Sequence, residues 1–250
     1  MNIEFLYNIN ILLIARLILT FNDQGIKLKQ FIFITAFQIT ALILFTNIWT
    51  LVLLGFLILF LNLIFFLWEQ QITTYIYEIR ILSFLIQLIL FSIFCAPGIG
   101  LHFNATLLSD LIHLNRYSVL LAFVNNMNWI NAHIILMGFL LVLNESNLVI
   151  RSIFHLFRIF PGTTNEALLP KIDHREYNAG RIIGILERIL IYFAVLFGQF
   201  AAIGFLMAAK GFTRFKELDE RNFAEYILIG TLLSALMAIF IGLFVNYLMP

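Results

Sequence analysis

Tyr226-Ile-Leu-Ile-Gly-Thr-Leu-Leu-Ser-Ala-Leu-Met-Ala-Ile-Phe-Ile-Gly-Leu-Phe-Val-Asn-Tyr-Leu-Met249 runs for 24 residues without a charge. As a helix rising about 1.5 Å per residue it covers about 36 Å, more than the ~30 Å hydrocarbon core of a bilayer. The rest of the chain has the same character. Apolar residues make up 62% of it and charged residues 12%, against roughly 45–50% and roughly 25% in soluble domains. Such a chain has too little polar surface to cover itself in water. A soluble enzyme, a disordered chain and a disulfide scaffold are excluded. The net charge of +1 supplies no basic field, so nucleic acid is not an expected partner.

Other spans follow by the same measure. Ile189–Ala209 has 21 uncharged residues, and Ile48–Trp68 is also uncharged. Ile3–Phe21, Phe31–Phe45 and Ile81–Phe94 are shorter or carry a polar residue. Ile130–Val149 is interrupted by Asn144-Glu-Ser-Asn147 and reads as a short or re-entrant helix. The expected fold is an all-α integral membrane protein. It is a polytopic bundle of six or seven transmembrane helices with one interfacial amphipathic helix. Residues 1–94 form the N-terminal membrane helices and 95–131 the interfacial segment. Residues 132–160 form short or re-entrant helices, 161–180 a polar loop, and 181–250 a C-terminal transmembrane hairpin. The N-terminal stretch lacks a basic n-region and a small-residue cleavage site, so it reads as retained.

Ten of the fifteen Lys and Arg residues fall between Arg151 and Arg221. In a seven-helix arrangement eight loop cations, Arg80 among them, face five on the other side. That bias is too small to set an orientation.

Cys95-Ala-Pro-Gly-Ile-Gly100 breaks a helix. Beyond it, Ala105–Val124 carries Ser109, Asp110, His113, Arg116 and Tyr117 at three- and four-residue steps, an amphipathic pattern suited to an interface. Asp110 and His113, with His102, are the available metal-ligand set. Without an H-E-x-x-H or comparable spacing they read as a solvated face. His133, His155 and His174 read as interface or loop residues. No metal site, catalytic residue or cofactor is assigned.

The penultimate span holds the sharpest polar pattern. At 100° per residue, Arg181, Arg188, Tyr192, Gln199 and Lys210 fall within about 20° of one line. Charges at both ends of a span commonly snorkel to the headgroups. Alternatively the stripe faces protein, or Arg181 and Arg188 grip an anion such as a lipid phosphate. The last span carries Gly230, Ser234, Ala238 and Gly242 every four residues, a stripe that permits close backbone approach. Gly198, Ala202, Gly204 and Ala208 are the expected facing residues. The two spans should pack antiparallel, with Lys210 near Glu225 and Gln199 bonded at the depth of Ser234.

Asn178-Ala-Gly-Arg-Ile-Ile-Gly-Ile-Leu-Glu-Arg188, Gly198-Gln199, Ala208-Ala-Lys210, Arg214-Phe215, Ala224-Glu-Tyr226 and Gly230-Thr-Leu-Leu-Ser234 resemble the C-terminal half of a bacterial multi-pass inner-membrane family catalogued as a domain of unknown function. Asn147-Leu-Val-Ile-Arg151 resembles its preceding element. The resemblance covers roughly residues 140–245. It implies a bacterial cytoplasmic-membrane protein and no particular activity. The family's N-terminal half is expected to carry a His and Asp set like that of membrane-embedded metal hydrolases. This chain departs from it at Arg16, Asn62, Glu69, Ser83 and Gln87, and no His precedes His102. The departure argues against catalysis. The leading expectation is a non-catalytic sensor, anchor or assembly partner in contact with membrane lipids, and with a protein partner or a second copy. A transporter or binder of an amphipathic anion is the alternative, and a membrane-embedded hydrolase a second one.

Overall fold

A computed structural model describes residues 2–20, 22, 25–72, 74–96, 101–104, 128–157, 174–213 and 221–249, with backbone alone at 174–179 and 221–223. Among the described residues the chain is all helical, apart from one isolated antiparallel bridge between Phe45 and Phe103. The expected interfacial helix at 105–124, residues 161–173 of the expected polar loop 161–180, and Asp110 and His113 lie outside the described residues, whereas residues 174–180 of that loop are helical, the first turns of a helix His174–Leu196. The chain divides into two units, Met1–Leu140 and Leu141–Pro250.

The first unit holds α1 (Ile3–Arg16), α2 (Leu28–Ala41), α3 (Ile48–Gln71), α4 (Ile76–Phe94) and α5 (Trp129–Leu140). Short 3-10 turns, Leu17–Leu19 and Leu42–Leu44, extend α1 and α2. Leu12, Leu42, Leu54, Ile58 and Phe91 pack into one apolar cluster. The outer face of α3 is also apolar: Trp49, Val52, Phe56, Phe60 and Leu67 are exposed. Its buried face includes Asn62 and Glu69. A helix apolar all round with polar residues turned inward is the pattern of a bundle dissolved in lipid.

The second unit begins with a π turn, Leu141–Glu145, leading into α6 (Ser146–Leu156). α7 (His174–Leu196), α8 (Phe200–Thr213) and α9 (Arg221–Leu248) follow. Four helical stretches are long and apolar enough to cross a membrane: Ile48–Gln71, Ile76–Phe94, Trp129–Leu156 and Ala224–Leu248.

Several expectations are corrected. Asn144-Glu-Ser-Asn147 does not interrupt the helix. Asn144, Glu145 and Ser146 are buried, Asn144 Nδ2 donates to Glu145 Oε1 at 2.9 Å, and Ser146 Oγ donates to Leu141 O at 3.1 Å. The polar run is accommodated, buried, within a locally widened helix. Arg80 is no loop cation. It lies in α4 and is 1% exposed.

The largest correction concerns Ile189–Ala209, which is not one helix. α7 stops at Leu196, and Gly198 takes φ +69°. Gln199 N donates to Ala194 O at 2.7 Å and Gly198 N to Val195 O at 3.1 Å. This is the paired six-to-one and five-to-two closure of a helix end built on a left-handed glycine. The chain then reverses into α8. Glu187 meets Lys210, and Ile191, Ala194 and Val195 share a cluster with Ile203.

α9 runs parallel to α7. Ser234 lies beside Arg188, Gly242 beside Val195, and Asn246 Nδ2 donates to Val195 O at 3.3 Å. The small-residue stripe of α9 does face inward, with Ala238 0% exposed. Its partners are Val195 and Tyr192 of α7 near Gly242 and the Phe154 ring of α6 near Gly230. Gly198, Ala202, Gly204 and Ala208 are exposed and do not form the facing stripe.

Candidate functional site

Reversal at Gly198 splits the predicted polar line in two. Arg181, Arg188 and Tyr192 remain on one face of α7, and all three are buried. Gln199 lies at the turn and is exposed, so it does not bond Ser234. Lys210 returns along α8 to bond Glu187 Oε2. Ser234 accepts instead from Arg188.

Arg188 is the centre of the arrangement. It is 5% exposed. Its Nε donates to Val142 O at 3.3 Å, within the π turn, and its Nη1 to Ser234 Oγ at 3.3 Å. Both acceptors are neutral. Among the described residues no carboxylate stands within ion-pair distance of its guanidinium, since the adjacent Glu187 is held by Lys210. The guanidinium fork carries more N–H donors than these two bonds use. A buried cation with only neutral acceptors is costly in an apolar setting and is a natural place for an anion.

A cleft of about 170 Å³ opens over Arg188. Lys210, Tyr226, Thr231 and Ser234 contribute polar side chains, and Gly180, Gly184 and Gly230 line the wall where side chains would fill it. Nothing lies within 4 Å of a Cβ placed on Gly180, and only Arg188 Nη1, at 3.8 Å, meets one on Gly184. Ile150, Phe154 and Ile227 supply an apolar side. Among the described lining residues there is no acid. Along α9 the cleft extends from Tyr226 to Ser234, about 12 Å at 1.5 Å per residue, and Ser234 sits near the middle of the Ala224–Leu248 stretch.

Sequence reasoning missed a second polar assembly, in the first unit. Gln38 Nε2 donates to Gln87 Oε1 at 3.2 Å, Gln87 Nε2 to Asn62 Oδ1 at 2.8 Å, and Asn62 Nδ2 to Gln38 Oε1 at 2.9 Å. Three carboxamides from α2, α4 and α3 thus close a ring. Thr35 and Ser83 accept further N–H bonds from it. Toward the ends of α3 and α4, Arg80 grips Glu69 through Nε at 3.2 Å and Nη2 at 3.1 Å. Both residues are 1% exposed. Glu69 also accepts from Ile26 N at 3.1 Å, and Arg80 Nη1 donates to Asn22 O at 2.6 Å. Arg16 Nη2 donates to Arg80 O at 2.9 Å. The neighbouring cavity, about 30 Å³, has room for only one or two waters. The polar atoms serve one another, so this assembly positions helices and has no space for a larger ligand. The signal for it was present: Arg80, Ser83 and Gln87 repeat at helical steps, and Asn62 and Glu69 lie seven apart.

Among the described residues no three His, Cys, Asp or Glu side chains gather as a metal site. His102 Nδ1 stands 3.9 Å from Glu4 Oε1, and His133 Nδ1 lies 3.0 Å from Asn10 Nδ2. No family model matches the chain, and no curated protein or solved structure matches it.

Proposed function

We propose that this chain is a non-catalytic protein of the bacterial cytoplasmic membrane that holds an amphipathic anion, a lipid phosphate in particular, in the cleft over Arg188. The observation that carries the reading is Arg188 itself, a buried guanidinium that among the described residues bonds a carbonyl and a hydroxyl. A phosphate oxygen is the acceptor such a fork suits best. The hydroxyls of Thr231 and Ser234 add donors, and Ile150, Phe154 and Ile227 suit an acyl chain. The described lining is cationic, hydroxylic and apolar, a set that suits the binding of an amphipathic anion. The depth of Arg188, level with the middle of α9, also favours carriage of the anion across the bilayer.

The membrane arrangement belongs to the same proposal. α1 and α2 with their 3-10 extensions each reach about 25 Å and join the four long stretches as crossings, six in all. α7 and α8 form a hairpin that enters and leaves on one side. Membrane lipids are the first partner, and a protein partner or second copy completes the set.

The test is binding of dioctanoyl phosphatidylglycerol to the purified full chain in phosphatidylcholine nanodiscs. The anionic lipid should bind at least tenfold more tightly than dioctanoyl phosphatidylcholine. Arg188→Gln should lose about tenfold, or ~1.4 kcal/mol. Lys171→Ala and Arg175→Ala should bind like wild type. Equal affinity for the two lipids, or an unchanged Arg188→Gln, ends this reading. Exchange of the anionic lipid between leaflets of proteoliposomes, faster than in empty vesicles, separates carriage from holding.

A further inference from the structure

Lys210 faces two ways. It lines the anion cleft, while its ammonium is bonded to Glu187 Oε2 on α7. Glu187 does not line that cleft. It borders a smaller space among α7, α8 and α9, with Met207 and Ala235. Thr231 and Ser234 line both spaces. The side chains of Lys210 and Glu187 are 17% and 21% exposed, so their pairing is partly shielded from water.

We propose that Glu187 competes with the bound anion for Lys210, and that capture of the anion is coupled to uptake of one proton by Glu187. The inference rests on the anion reading of the cleft. While Glu187 is ionised it holds Lys210 and cancels its charge, so that of the two cations lining the described cleft Arg188 is left to attract an incoming anion. An anion that draws Lys210 away leaves a carboxylate in an apolar groove, beside a second negative charge. A proton taken from solvent removes both the competition and the repulsion. Binding linkage is reciprocal, so protonation of Glu187 must tighten anion binding to the same degree. Affinity therefore rises as pH falls, by no more than tenfold per pH unit for one proton.

Among the described residues, charged and titratable groups approach Glu187 from α6, α7, α8 and α9. α8 presents Lys210, and α7 presents Arg188 and, further along, Arg181 and Tyr192. α9 presents the hydroxyls of Thr231 and Ser234, with Glu225 and Tyr226 about two turns away. From α6, Arg151 acts on Arg188, and His155 follows the cleft residue Phe154. The Glu187→Gln variant separates any contribution of His155 from that of Glu187.

Dioctanoyl phosphatidylglycerol is a suitable probe, since its phosphodiester keeps one negative charge throughout. Its dissociation constant is measured in phosphatidylcholine nanodiscs at about pH 5.5 and about pH 8, with a thermal melt of each variant. Wild type should bind at least threefold more tightly at the lower pH. Glu187→Gln should bind at least threefold more tightly than wild type at the higher pH and show no pH dependence. Lys210→Gln should bind weakly at both, which carries the test if Glu187→Gln does not fold. A pH-independent wild type, a pH dependence that survives in Glu187→Gln, or one as large in Lys210→Gln as in wild type, overturns the coupling. Failure of the anion reading looks different: phosphatidylglycerol then binds no better than phosphatidylcholine at either pH, and Arg188→Gln changes nothing.

Discussion

Arg188 Nη1 donates to Ser234 Oγ at 3.3 Å and so fixes the register of α7 against α9. The same register places Gly242 against Val195, where a Cβ built on the glycine comes 2.8 Å from Val195 Cγ1. The two helices run parallel because the Gly198 turn sends α8 back between them in sequence.

This register makes a crosslinking prediction. In a Cys95→Ala background, cysteines at 195 and 242 should form a disulfide readily, since their Cβ atoms lie within disulfide range after a small shift. Cysteines at 199 and 234 should not, because Gln199 lies at the turn and Ser234 near the middle of α9. The reverse pattern on a non-reducing gel would restore a single long helix through residue 198.

Glu69 and Arg80 support a stability prediction. Each is 1% exposed and their bond is bidentate. Removing one partner leaves a buried charge alone, so Arg80→Met should cost ~3–5 kcal/mol. The double variant Glu69→Leu/Arg80→Met should lose clearly less than the sum of the single losses. Thermal melts of the full chain in nanodiscs give the comparison. Additive losses would mean that the pair does not act as a unit.

Much of the arrangement was legible before any coordinates. The long apolar runs specify helices by length alone, and Ile48–Gln71 and Ala224–Leu248 stand where they were expected. Arg181, Arg188 and Tyr192 share a face because their spacing follows the helical period. The turn at Gly198 was legible in principle, since glycine after a helix is a stop signal. It was outweighed because apolar residues continue on both sides, and hydropathy cannot distinguish one crossing from a hairpin of equal composition. The carboxamide ring was legible only in part. Helical spacing groups Gln87 with Arg80 and Ser83 and Asn62 with Glu69, but only tertiary packing brings these faces together with Gln38.

That ring makes its own prediction. Asn62 donates to Gln38 and Thr35 and accepts from Gln87. Asn62→Leu strands an acceptor on Gln38 and a donor on Gln87 in a buried site, so the loss should be ~1–3 kcal/mol per stranded group. Thr35→Val removes one acceptor and should cost less. Urea or thermal unfolding in lipid would read both. A variant at Asn62 as stable as wild type would show that the ring contributes nothing measurable.

Two glycines give the sharpest contrast. Gly204 lies inside α8 with nothing within 4 Å of the position a Cβ would take, while Gly242 lies inside α9 against Val195 Cγ1 at 2.8 Å and Val195 Cβ at 2.9 Å. Neither requires a left-handed backbone. In an open helical position alanine restricts the unfolded chain more than glycine does, and it favours the helix by ~0.5–1 kcal/mol. Gly204→Ala should therefore raise the melting temperature. At Gly242 the same methyl must move Val195, which is branched at Cβ and nearly fixed in a helix. Overpacking of that kind costs ~1–3 kcal/mol and exceeds the propensity gain, so Gly242→Ala should lower the melting temperature. Val195→Ala makes room for it, and Gly242→Ala/Val195→Ala should be less destabilised than the two single losses added together. If instead Gly242→Ala is as stable as Gly204→Ala, α7 and α9 do not meet at Val195, and the register set by Arg188 and Ser234 fails with it.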